Sequence, residues 1–573
     1  MGFVSGFSVV GLVQASNLYP RAEVQAAVLA EELTGKDADE WNAMQANDSR
    51  LAPTDDVIYE ATEKERGLGY IGAYCSKRDM DRRFGKGRWR AIRRRCVWQE
   101  GHQKHRCVDN CRTSGHNSTA TMTETIYTVP YDIAVLNFKW LRWRLGTQLR
   151  GKWHPALGTD DMRDAYRKIP NRPQQERYCV IAVRTGRKGQ GRVQFSIAKA
   201  HLFGFSAAVN NFNRLPEFGC AAARRMGAVP CWHFFDDVGT AEVALEQGTG
   251  QHFAGRTFDI LGFPFSPEKH VPAGHSTLHL GLINELGNAD QDAVALLPKK
   301  GRVERVLCKI STALSDDWME PTEASSLRGD ITFLACTSYR KILRGGLAGI
   351  AERQKELRGG PITPAIKASL AVVAQAVRQW KPVCISLAPE SRRPVLVYTD
   401  AFFEPDPNAP ASLPEHQRVL GGIGAVVFQP GFVPRVYSSP VPAAFWDALH
   451  PRETQIMAAE LLAIAATVHC EREALTNATA ILFGDNLSDT CSLIKGSSRA
   501  IDLQTIISGI HLHLASCECS WWAEWLPSDS NPADAPSRGS PSEFGCARPL
   551  PCPPWAFPRG DILVSLASLF GEG

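Results

Sequence analysis

Long apolar runs are missing from this sequence, which contains no stretch of eighteen or more apolar residues. A membrane-spanning helix needs about 20 of them, and no basic region precedes the apolar stretch at the N-terminus. We therefore expect neither a membrane span nor a secretory signal. Paired cysteine spacing is also missing among the sixteen cysteines. This favours reduced thiols in an intracellular protein over a disulfide framework, with cytoplasm and nucleus as alternatives.

Charge of one sign is scarce, because the formal net charge is only +4 over 573 residues. This small excess does not by itself indicate binding to nucleic acid. Apolar residues make up 44% of the chain and charged residues 22%, which excludes a disordered chain and predicts a globular protein of several domains. Lysine and arginine are concentrated in residues 76–95, where they could attract phosphates or form a solvated surface or a localisation signal.

An apolar, aromatic-rich run over residues 231–235 ends in two adjacent carboxylates, Asp236 and Asp237, and a glycine follows at Gly239. The pattern predicts a strand, a tight turn and a second strand. Two neighbouring aspartates repel each other, so a hairpin tip that holds both favours a bound cation. An exposed turn would have the same sequence. A second signal lies upstream, where residues 159–166 read Thr-Asp-Asp-Met-Arg-Asp-Ala-Tyr.

Together these two segments resemble motifs A and C of reverse transcriptases. In that family, motif A reads Asp-x-x-Asp-Ala-Tyr or Phe at the end of a strand, and motif C is an aromatic residue, any residue and Asp-Asp on a hairpin. The resemblance implies that Asp161, Asp236 and Asp237 hold two Mg²⁺ ions, for which Mn²⁺ could substitute. Phe234 stands where the family usually has tyrosine, so a hydroxyl near the primer end is absent.

Five further residues match positions of this family. Lys104 and Arg106 stand in a segment similar to the fingers, which implies that they grip the triphosphate of the incoming nucleotide. Tyr166 matches the side chain that lies under the sugar and excludes a 2′-hydroxyl. Gly204 lies in a segment similar to motif B, where glycine permits close approach of template and nucleotide. Lys269 matches the motif D lysine, a candidate general acid toward pyrophosphate, with a plain surface lysine as the alternative.

Periodicity adds local predictions outside these motifs. Residues 22–33 predict a helix, and another helix is expected near residues 241–247. Alternation over residues 178–199 around a loop rich in Gly, Arg and Lys predicts a palm hairpin with a basic tip. Apolar spacing of three and four predicts helices over residues 303–314, 324–334, 339–356 and 364–379.

Four acidic residues follow in the C-terminal part of the chain, each in its own predicted element. Asp400 and Asp485 end predicted strands, Glu460 lies in a predicted helix and Asp534 lies in a terminal segment. Glu453 is a weaker candidate for the helix position, because Leu-Leu-Ala follows Glu460. The elements are strands over residues 395–401, 421–428, 435–438 and 480–486, a helix over residues 454–469 and the terminal segment over residues 525–538.

This order of elements and acids resembles ribonuclease H of the retroelement type. The resemblance implies that the four acids bind two Mg²⁺ ions and position a water that cuts the RNA strand of an RNA–DNA hybrid. One position departs from the family, because Ser528, Asp529 and Ser530 stand where many relatives have a histidine before the last aspartate.

The resemblance covers roughly residues 80–540 and implies an α+β and α/β multidomain fold, a right-hand polymerase followed by a ribonuclease H-like domain. The expected boundaries are an N-terminal extension over residues 1–75, fingers and palm over 76–290, a helical thumb or connection over 291–388, the ribonuclease H-like domain over 389–540 and a Pro/Gly/Ser-rich linker-like tail over 541–573.

The function implied is that of a retroelement reverse transcriptase, of a retrotransposon-like, pararetrovirus-like or DIRS-like lineage. Its partners would be an RNA template, a DNA primer, an RNA–DNA hybrid, dNTPs and other products of a retroelement polyprotein. The alternative is a catalytically inactive, domesticated or decayed relative that binds RNA or hybrid. The weaker motif B and the missing histidine favour this alternative, whereas the presence of all seven acids argues against it.

Overall fold

The computed structural model is a mixed α/β, multidomain protein with two compact units, unit one (Met1–Leu280) and unit two (Gly281–Gly573). The residues that the structure describes are 5–50, 52–99, 103–145, 154–186, 191–243, 248–286, 293–337, 343–378, 382–387, 393–410, 412 and 418–558. In this part of the chain, no helix combines the length and the apolar character that crossing a membrane requires. The mixed, multidomain fold class agrees with the prediction.

Unit one contains short strands and six α-helices among its described residues. The strands are β1 (Gly11–Val13), β2 (Arg21–Val24), β3 (Ala91–Gln99), β4 (Lys104–Asp109), β5 (Ala120–Glu124), β6 (Pro155–Asp161), β7 (Val180–Arg184), β8 (Val193–Ile197), β9 (Cys231–Phe234), β10 (Asp237–Val243), β11 (Val271–Gly274) and β12 (Ser276–His279). The helices are α1 (Lys36–Ala46), α2 (Asp55–Gly67), α3 (Lys77–Phe84), α4 (Ile133–Leu145), α5 (Ser206–Gly227) and α6 (Thr249–Ile260). Three of the sheets have the orders β1-β5-β2, β4-β3-β7-β8 and β11-β6-β10-β9.

The sheet with the order β11-β6-β10-β9 carries the two adjacent aspartates. β10 lies antiparallel to β6 and to β9, so that Asp237 is opposite Asp161 on one side and Phe234 on the other. Helices α4 and α6 pack against β10, and α5 packs against β9. Gly219 of α5 permits close helix packing, because a Cβ atom there would lie 2.5 Å from the ring of Phe258 in α6.

The predicted strand, turn and strand at the paired aspartates are confirmed. Phe235 and Asp236 form a two-residue connection between β9 and β10. Phe235 has a φ of 53°, in the left-handed region that bulky residues rarely adopt. Its ring packs against a buried cluster that includes Phe212 and Phe258, and this packing offsets the strain of the turn.

The helix predicted over residues 22–33 is wrong. β2 covers the start of this segment and pairs with β5, and a short 3₁₀ helix covers only Ala30–Leu33. Between them, the amide of Ala26 donates a hydrogen bond to Oγ1 of Thr121. Partners elsewhere in the fold satisfy this backbone, and such partners outweigh a weak helix propensity.

The helix expected near residues 241–247 is also wrong in its described part. Ala241 and Val243 belong to β10, opposite Leu157 and Pro155 of β6, and residues 244–247 lie outside the described residues. The next helix begins only at Thr249. A strand buried on both faces lacks alternation and has the same apolar character as a buried helix, which explains the error.

The hairpin predicted over residues 178–199 is present as β7 and β8. It belongs to another sheet than predicted, because β7 pairs with β3 and not with the strands that carry the paired aspartates. Part of its basic tip, residues 187–190, lies outside the described residues. Local alternation identifies the two strands, whereas their sheet depends on a distant partner.

Unit two combines a helical segment with a large sheet. Its described strands are β13 (Leu282–Glu285), β14 (Ala293–Pro298), β15 (Trp318–Met319), β16 (Gly360–Pro361), β17 (Val383–Ser386), β18 (Val395–Pro405), β19 (Val419–Phe428), β20 (Arg435–Pro440), β21 (Thr479–Gly484), β22 (Ser520–Trp525) and β23 (Ala547–Arg548). Its helices are α7 (Arg302–Asp316), α8 (Pro321–Leu334), α9 (Ala348–Arg353), α10 (Pro364–Arg378), α11 (Ala443–Trp446), α12 (Ile456–Cys470), α13 (Arg472–Leu475), α14 (Leu487–Lys495), α15 (Ile501–Ser516) and α16 (Asp534–Ser537).

The helical segment agrees with most of the prediction. The helices predicted over residues 303–314, 324–334 and 364–379 correspond to α7, α8 and α10. The helix predicted over residues 339–356 is only partly present, because α9 covers six of these residues and residues 339–342 lie outside the described part.

The large sheet has the order β22-β21-β18-β19-β20-β23. β18 pairs antiparallel with β19 and parallel with β21, and β21 pairs parallel with β22. Helix α12 packs against β18, β19 and α15. Because α12 is apolar on all sides, it can be buried between these layers, and residues 458–468 are all buried. The strands and the helix predicted before residue 487 are confirmed, whereas α15 and β22 were not predicted.

The prediction that the tail is a linker is wrong for its described residues, 541–558. β23 pairs with β20, and Leu550, Trp555 and Ala556 are buried. The ring of Trp555 stacks on His513 of α15 with centroids 5.6 Å apart. These few large apolar side chains give the segment a packed position despite its proline content. The rest of the predicted tail, residues 559–573, lies outside the described residues.

Replacing Trp555 by alanine should lower the stability of unit two by about 3–5 kcal/mol, because the buried indole leaves a cavity against α15. Urea unfolding followed by circular dichroism would measure this loss. The matched control is Trp522→Ala, which removes an indole that is 50% exposed and should change stability by about 0.5 kcal/mol or less. Equal effects of the two substitutions would contradict the packed tail.

Candidate active sites

Three acidic side chains meet in unit two where two neighbouring strands and one helix come together. Asp400 lies within β18, Asp485 follows the end of β21, and Glu460 lies in α12. Each offers one ligand oxygen, and these oxygens all lie within 4.8 Å of one another. We call Asp400, Glu460 and Asp485 the buried triad. In the described part of the chain, no other group of three Asp, Glu, His or Cys side chains has ligand atoms this close together.

The electrostatics of the buried triad favour a bound cation. Burial, together with the charges of Asp485 and Asp534, raises the pKa of Asp400 to about 6. Burial and the neighbouring carboxylates, first of all Asp400, raise the pKa of Glu460 well above its usual range. A hard divalent cation with oxygen ligands, such as Mg²⁺, compensates this crowding of negative charge. The residues present therefore fit a metal ion.

Asp534, the fourth predicted acid, is near but outside the triad. Its charge contributes to the raised pKa of Asp400, and its Oδ1 lies 3.3 Å from Nε of Arg538. Two uncharged side chains hold Asp400 in place: Oγ of Ser537 donates to Oδ2 at 2.5 Å, and Nδ2 of Asn531 lies 3.5 Å from Oδ1. The short segment over residues 531–538 thus orients the first acid and brings the fourth acid beside it.

Asp489 is a further acid at this site that the sequence prediction missed. It lies in α14 and is buried, and neither carboxylate oxygen has a hydrogen-bond partner among the described residues. Burial and the charge of Asp485 raise the pKa of Asp489 to about 8. The sequence feature that could have identified Asp489 is its position, four residues after Asp485 and at the start of a helix.

In unit one, Asp161, Asp236 and Asp237 meet where β6 ends and the β9–β10 hairpin turns. We call these three residues the hairpin trio. Asp161 and Asp237 are directly opposite in the β6–β10 ladder. Burial and the charges of the other two members raise the pKa of Asp237 to about 6. Burial and then the charge of Asp161 raise the pKa of Asp236, so the three charges act on one another and also fit a divalent cation.

Two cations lie beside the hairpin trio. Nζ of Lys269 is 2.7 Å from Oδ1 of Asp161. The positive charge of Arg106 acts on Asp236, and its guanidinium lies over the ring of Phe203 at 4.7 Å. Lys104 is at the other end of β4, opposite Gln99, and its side chain is exposed. The structure thus brings Lys269 and Arg106 to the trio and does not bring Lys104 there.

The predicted nucleotide-binding residues surround the same place. The ring of Tyr166 packs on Phe203 and Phe212, with centroids 4.9 Å away in both cases. Burial and the charge of Asp236 raise the pKa of Tyr166 to about 12. Phe234 ends β9, and its ring packs edge-on against Phe235.

Gly204 lies where the chain passes close to the end of β4. A Cβ atom on Gly204 would lie 1.8 Å from the carbonyl oxygen of Asp109. No other residue can occupy this position without moving the backbone. In the structure, Gly204 therefore permits close contact between its own segment and the end of β4.

No protein-family model matches the sequence, and no curated protein matches it. Among solved structures, the chain is similar to a foamy viral protease–reverse transcriptase dRH in complex with double-stranded DNA. The similarity has a TM-score of 0.41 and 11% sequence identity, and it covers 84% of this chain and 71% of that chain. A likeness this distant identifies neither the family nor the function.

A buried ionic network positions the surroundings of the hairpin trio and was not predicted. Nε of Arg94 lies 2.9 Å from Oδ1 of Asp109, and Nη2 of Arg167 lies 3.3 Å from Oδ2. Glu65 of α2 contacts both arginines. Asp109 borders Gly204, and Arg167 follows Tyr166 directly. The network therefore ties β3, β4 and α2 to the segment that presents the tyrosine ring, and a buried network that is fully paired is rigid.

The crowded acids predict that stability depends on pH and on magnesium. The folded state raises the pKa of Asp400 from 3.8 to about 6, so it binds more protons than the unfolded state between these values. Stability should therefore fall as pH rises from about 4 to 6, by roughly 3 kcal/mol for this group. Because Mg²⁺ binds the charged form, it should raise the unfolding temperature more at pH 7.5 than at pH 5.

Thermal unfolding with and without Mg²⁺ at the two pH values would check this prediction. The variant Asp400→Asn should lose part of the pH step and part of the response to Mg²⁺. A magnesium effect of the same size at both pH values, in the native chain and in the variant, would contradict it.

Proposed function

We propose that this chain is an RNA-directed DNA polymerase of a retroelement that also cleaves the RNA strand of RNA–DNA hybrids. The observation that carries the proposal is the presence of two separate carboxylate groups, the hairpin trio and the buried triad. Each lies on or beside paired strands and contains carboxylates with raised pKa values. The order of these groups along the chain is that of a polymerase followed by a ribonuclease H.

The predicted boundaries carry over into the proposal with one change. Residues 76–290 would form fingers and palm, residues 291–388 the helical thumb or connection, and residues 389–540 the ribonuclease H-like domain, while residues 1–75 form an extension. The packing of β23 and Trp555 supports including residues 541–558 in the last domain.

Both sites would serve an in-line displacement at phosphorus. Mg²⁺ held by the carboxylates would polarise phosphate oxygens and lower the pKa of the attacking hydroxyl or water. Around the hairpin trio, Arg106 would bind the triphosphate, and the ring of Tyr166 would exclude a 2′-hydroxyl by contact. Nζ of Lys269 would donate a proton to the leaving pyrophosphate. Its contact with Asp161 holds it beside the trio.

Around the buried triad, the nucleophile would be water and the substrate the RNA strand of a hybrid. Asn531 and Ser537 hold the carboxylate of Asp400 in one orientation. Asp534, whose side chain is 48% exposed, would complete the set of acids when the hybrid is bound.

Two assays on the full-length protein test the proposal. Extension of a DNA primer on an RNA template and cleavage of the RNA strand in a labelled hybrid should both occur with Mg²⁺ or Mn²⁺, and EDTA should stop both. Absence of both activities in a folded protein would reject the proposal.

The second candidate is a catalytically inactive relative that binds RNA or hybrid. One observation favours it, because the 3₁₀ helix Ser528–Ser530 stands where the family has a histidine. This candidate predicts binding of hybrid without cleavage and binding of primer–template without extension, so the same two assays distinguish it.

A further inference from the structure

Helix α4 has apolar side chains on two faces, and the fold covers only one of them. The covered face packs against β10 and consists of Ala134, Val135, Phe138 and Leu141. On the other face, Leu136, Trp140 and Trp143 are 49%, 50% and 69% exposed. Their spacing of three and four residues places them in one row, which we call the aromatic stripe. A contiguous exposed apolar row of this kind marks an interaction site.

The charged side chains of α4 beside the aromatic stripe are all positive, whereas Asp132 directly precedes the helix. Lys139 and Arg144 are exposed next to it, and the guanidinium of Arg144 lies 5.7 Å from the centroid of the Trp143 ring. The sequence of α4 contains no acidic residue. Two more exposed aromatic residues, Tyr127 and Tyr131, precede the helix. The surface thus combines flat apolar rings with an excess of cations.

We propose that the aromatic stripe, with Lys139 and Arg144, binds single-stranded nucleic acid. Unpaired bases offer faces that can stack on the indoles, and the phosphates between them can pair with the two cations. A duplex hides its base faces and meets only the cations. A second copy of the same surface would bring like charges together, which disfavours a symmetric dimer through this face.

The helix that carries the stripe packs against a strand that begins in the hairpin trio. Helix α4 packs against β10, and β10 begins with Asp237 of the trio. The unpaired end of a template is the single strand that this position suits, and this last assignment rests on the proposed polymerase function. Binding of a single strand as such does not depend on it.

Equilibrium binding of labelled 20-nucleotide dT and rU strands and of a blunt duplex to the full-length protein tests the proposal, without nucleotides or divalent ions. The variant Trp140→Ala/Trp143→Ala should weaken binding of both single strands by roughly thirtyfold or more and leave duplex binding nearly unchanged. Lys139→Ala should lower the slope of log K against log salt by about 0.7 for the single strands.

The matched control is Phe432→Ala/Val433→Ala, which removes two side chains of unit two that are 65% and 78% exposed. It should leave all three affinities unchanged. Unchanged single-strand binding in the tryptophan variant overturns the proposal, as does an equal loss for strand and duplex. A change confined to oligomeric state, or to co-sedimentation with anionic vesicles, would assign the stripe to a second copy or to lipid instead. Failure of primer extension in the native chain, with strand binding retained, would reject only the polymerase function.

Discussion

The substitution Asp236→Asn should reduce DNA synthesis by roughly a thousandfold or more, on the order of 4 kcal/mol of transition-state stabilisation, while hybrid cleavage continues. Asparagine keeps the shape of the side chain but removes a charge that the hairpin trio needs to hold divalent cations. Primer extension and hybrid cleavage, measured on the same preparation, check this expectation.

The hairpin itself should survive this change. The carbonyl oxygen of Asp236 accepts a hydrogen bond from the amide of Met162 at 2.8 Å, and this contact does not involve the side chain. The raised pKa of Asp236 also means that a neutral side chain is tolerated there. The control Asp259→Asn removes an exposed carboxylate of α6 and should leave synthesis unchanged. Full synthesis by Asp236→Asn would show that the trio is not the polymerase site.

The converse substitution, Asp485→Asn, should abolish hybrid cleavage to a similar extent and leave primer extension intact. It removes the negative charge of one of the three acids of the buried triad, whose ligand atoms lie within 4.8 Å of one another. The backbone at this position is held independently, because Nε1 of Trp525 donates to the carbonyl oxygen of Asp485 at 2.7 Å. The variant should therefore fold as the native chain does.

Loss of both activities in either single variant, with native circular dichroism, would show that the two sites are not independent. Asp447→Asn is the matched control in unit two, because Asp447 is exposed, and it should retain both activities. A cleavage loss in Asp485→Asn that Mn²⁺ partly restores would further support a metal-binding role for the triad.

Local sequence was sufficient to predict the elements that carry the acids. Asp236 and Asp237 end an aromatic run. Such a run followed by turn residues predicts a hairpin from about ten residues of sequence alone. Glu460 lies in a helix that is apolar all round, and such a helix has to be buried. The same local reasoning predicted a helix over residues 22–33 and was wrong. The start of this segment pairs with β5, which lies far away in the sequence.

By itself, the sequence determined which residues carry charge and on which strands, turns and helices most of the seven acids lie, because periodicity and turn chemistry act over short distances. Only the tertiary structure decided that Asp161 stands opposite Asp237, that α12 lies against β18, that Asp489 is buried beside Asp485 and that the tail packs on α15. These features depend on contacts between segments far apart in the chain, and burial of apolar surface, which has no direction along the sequence, selects among them.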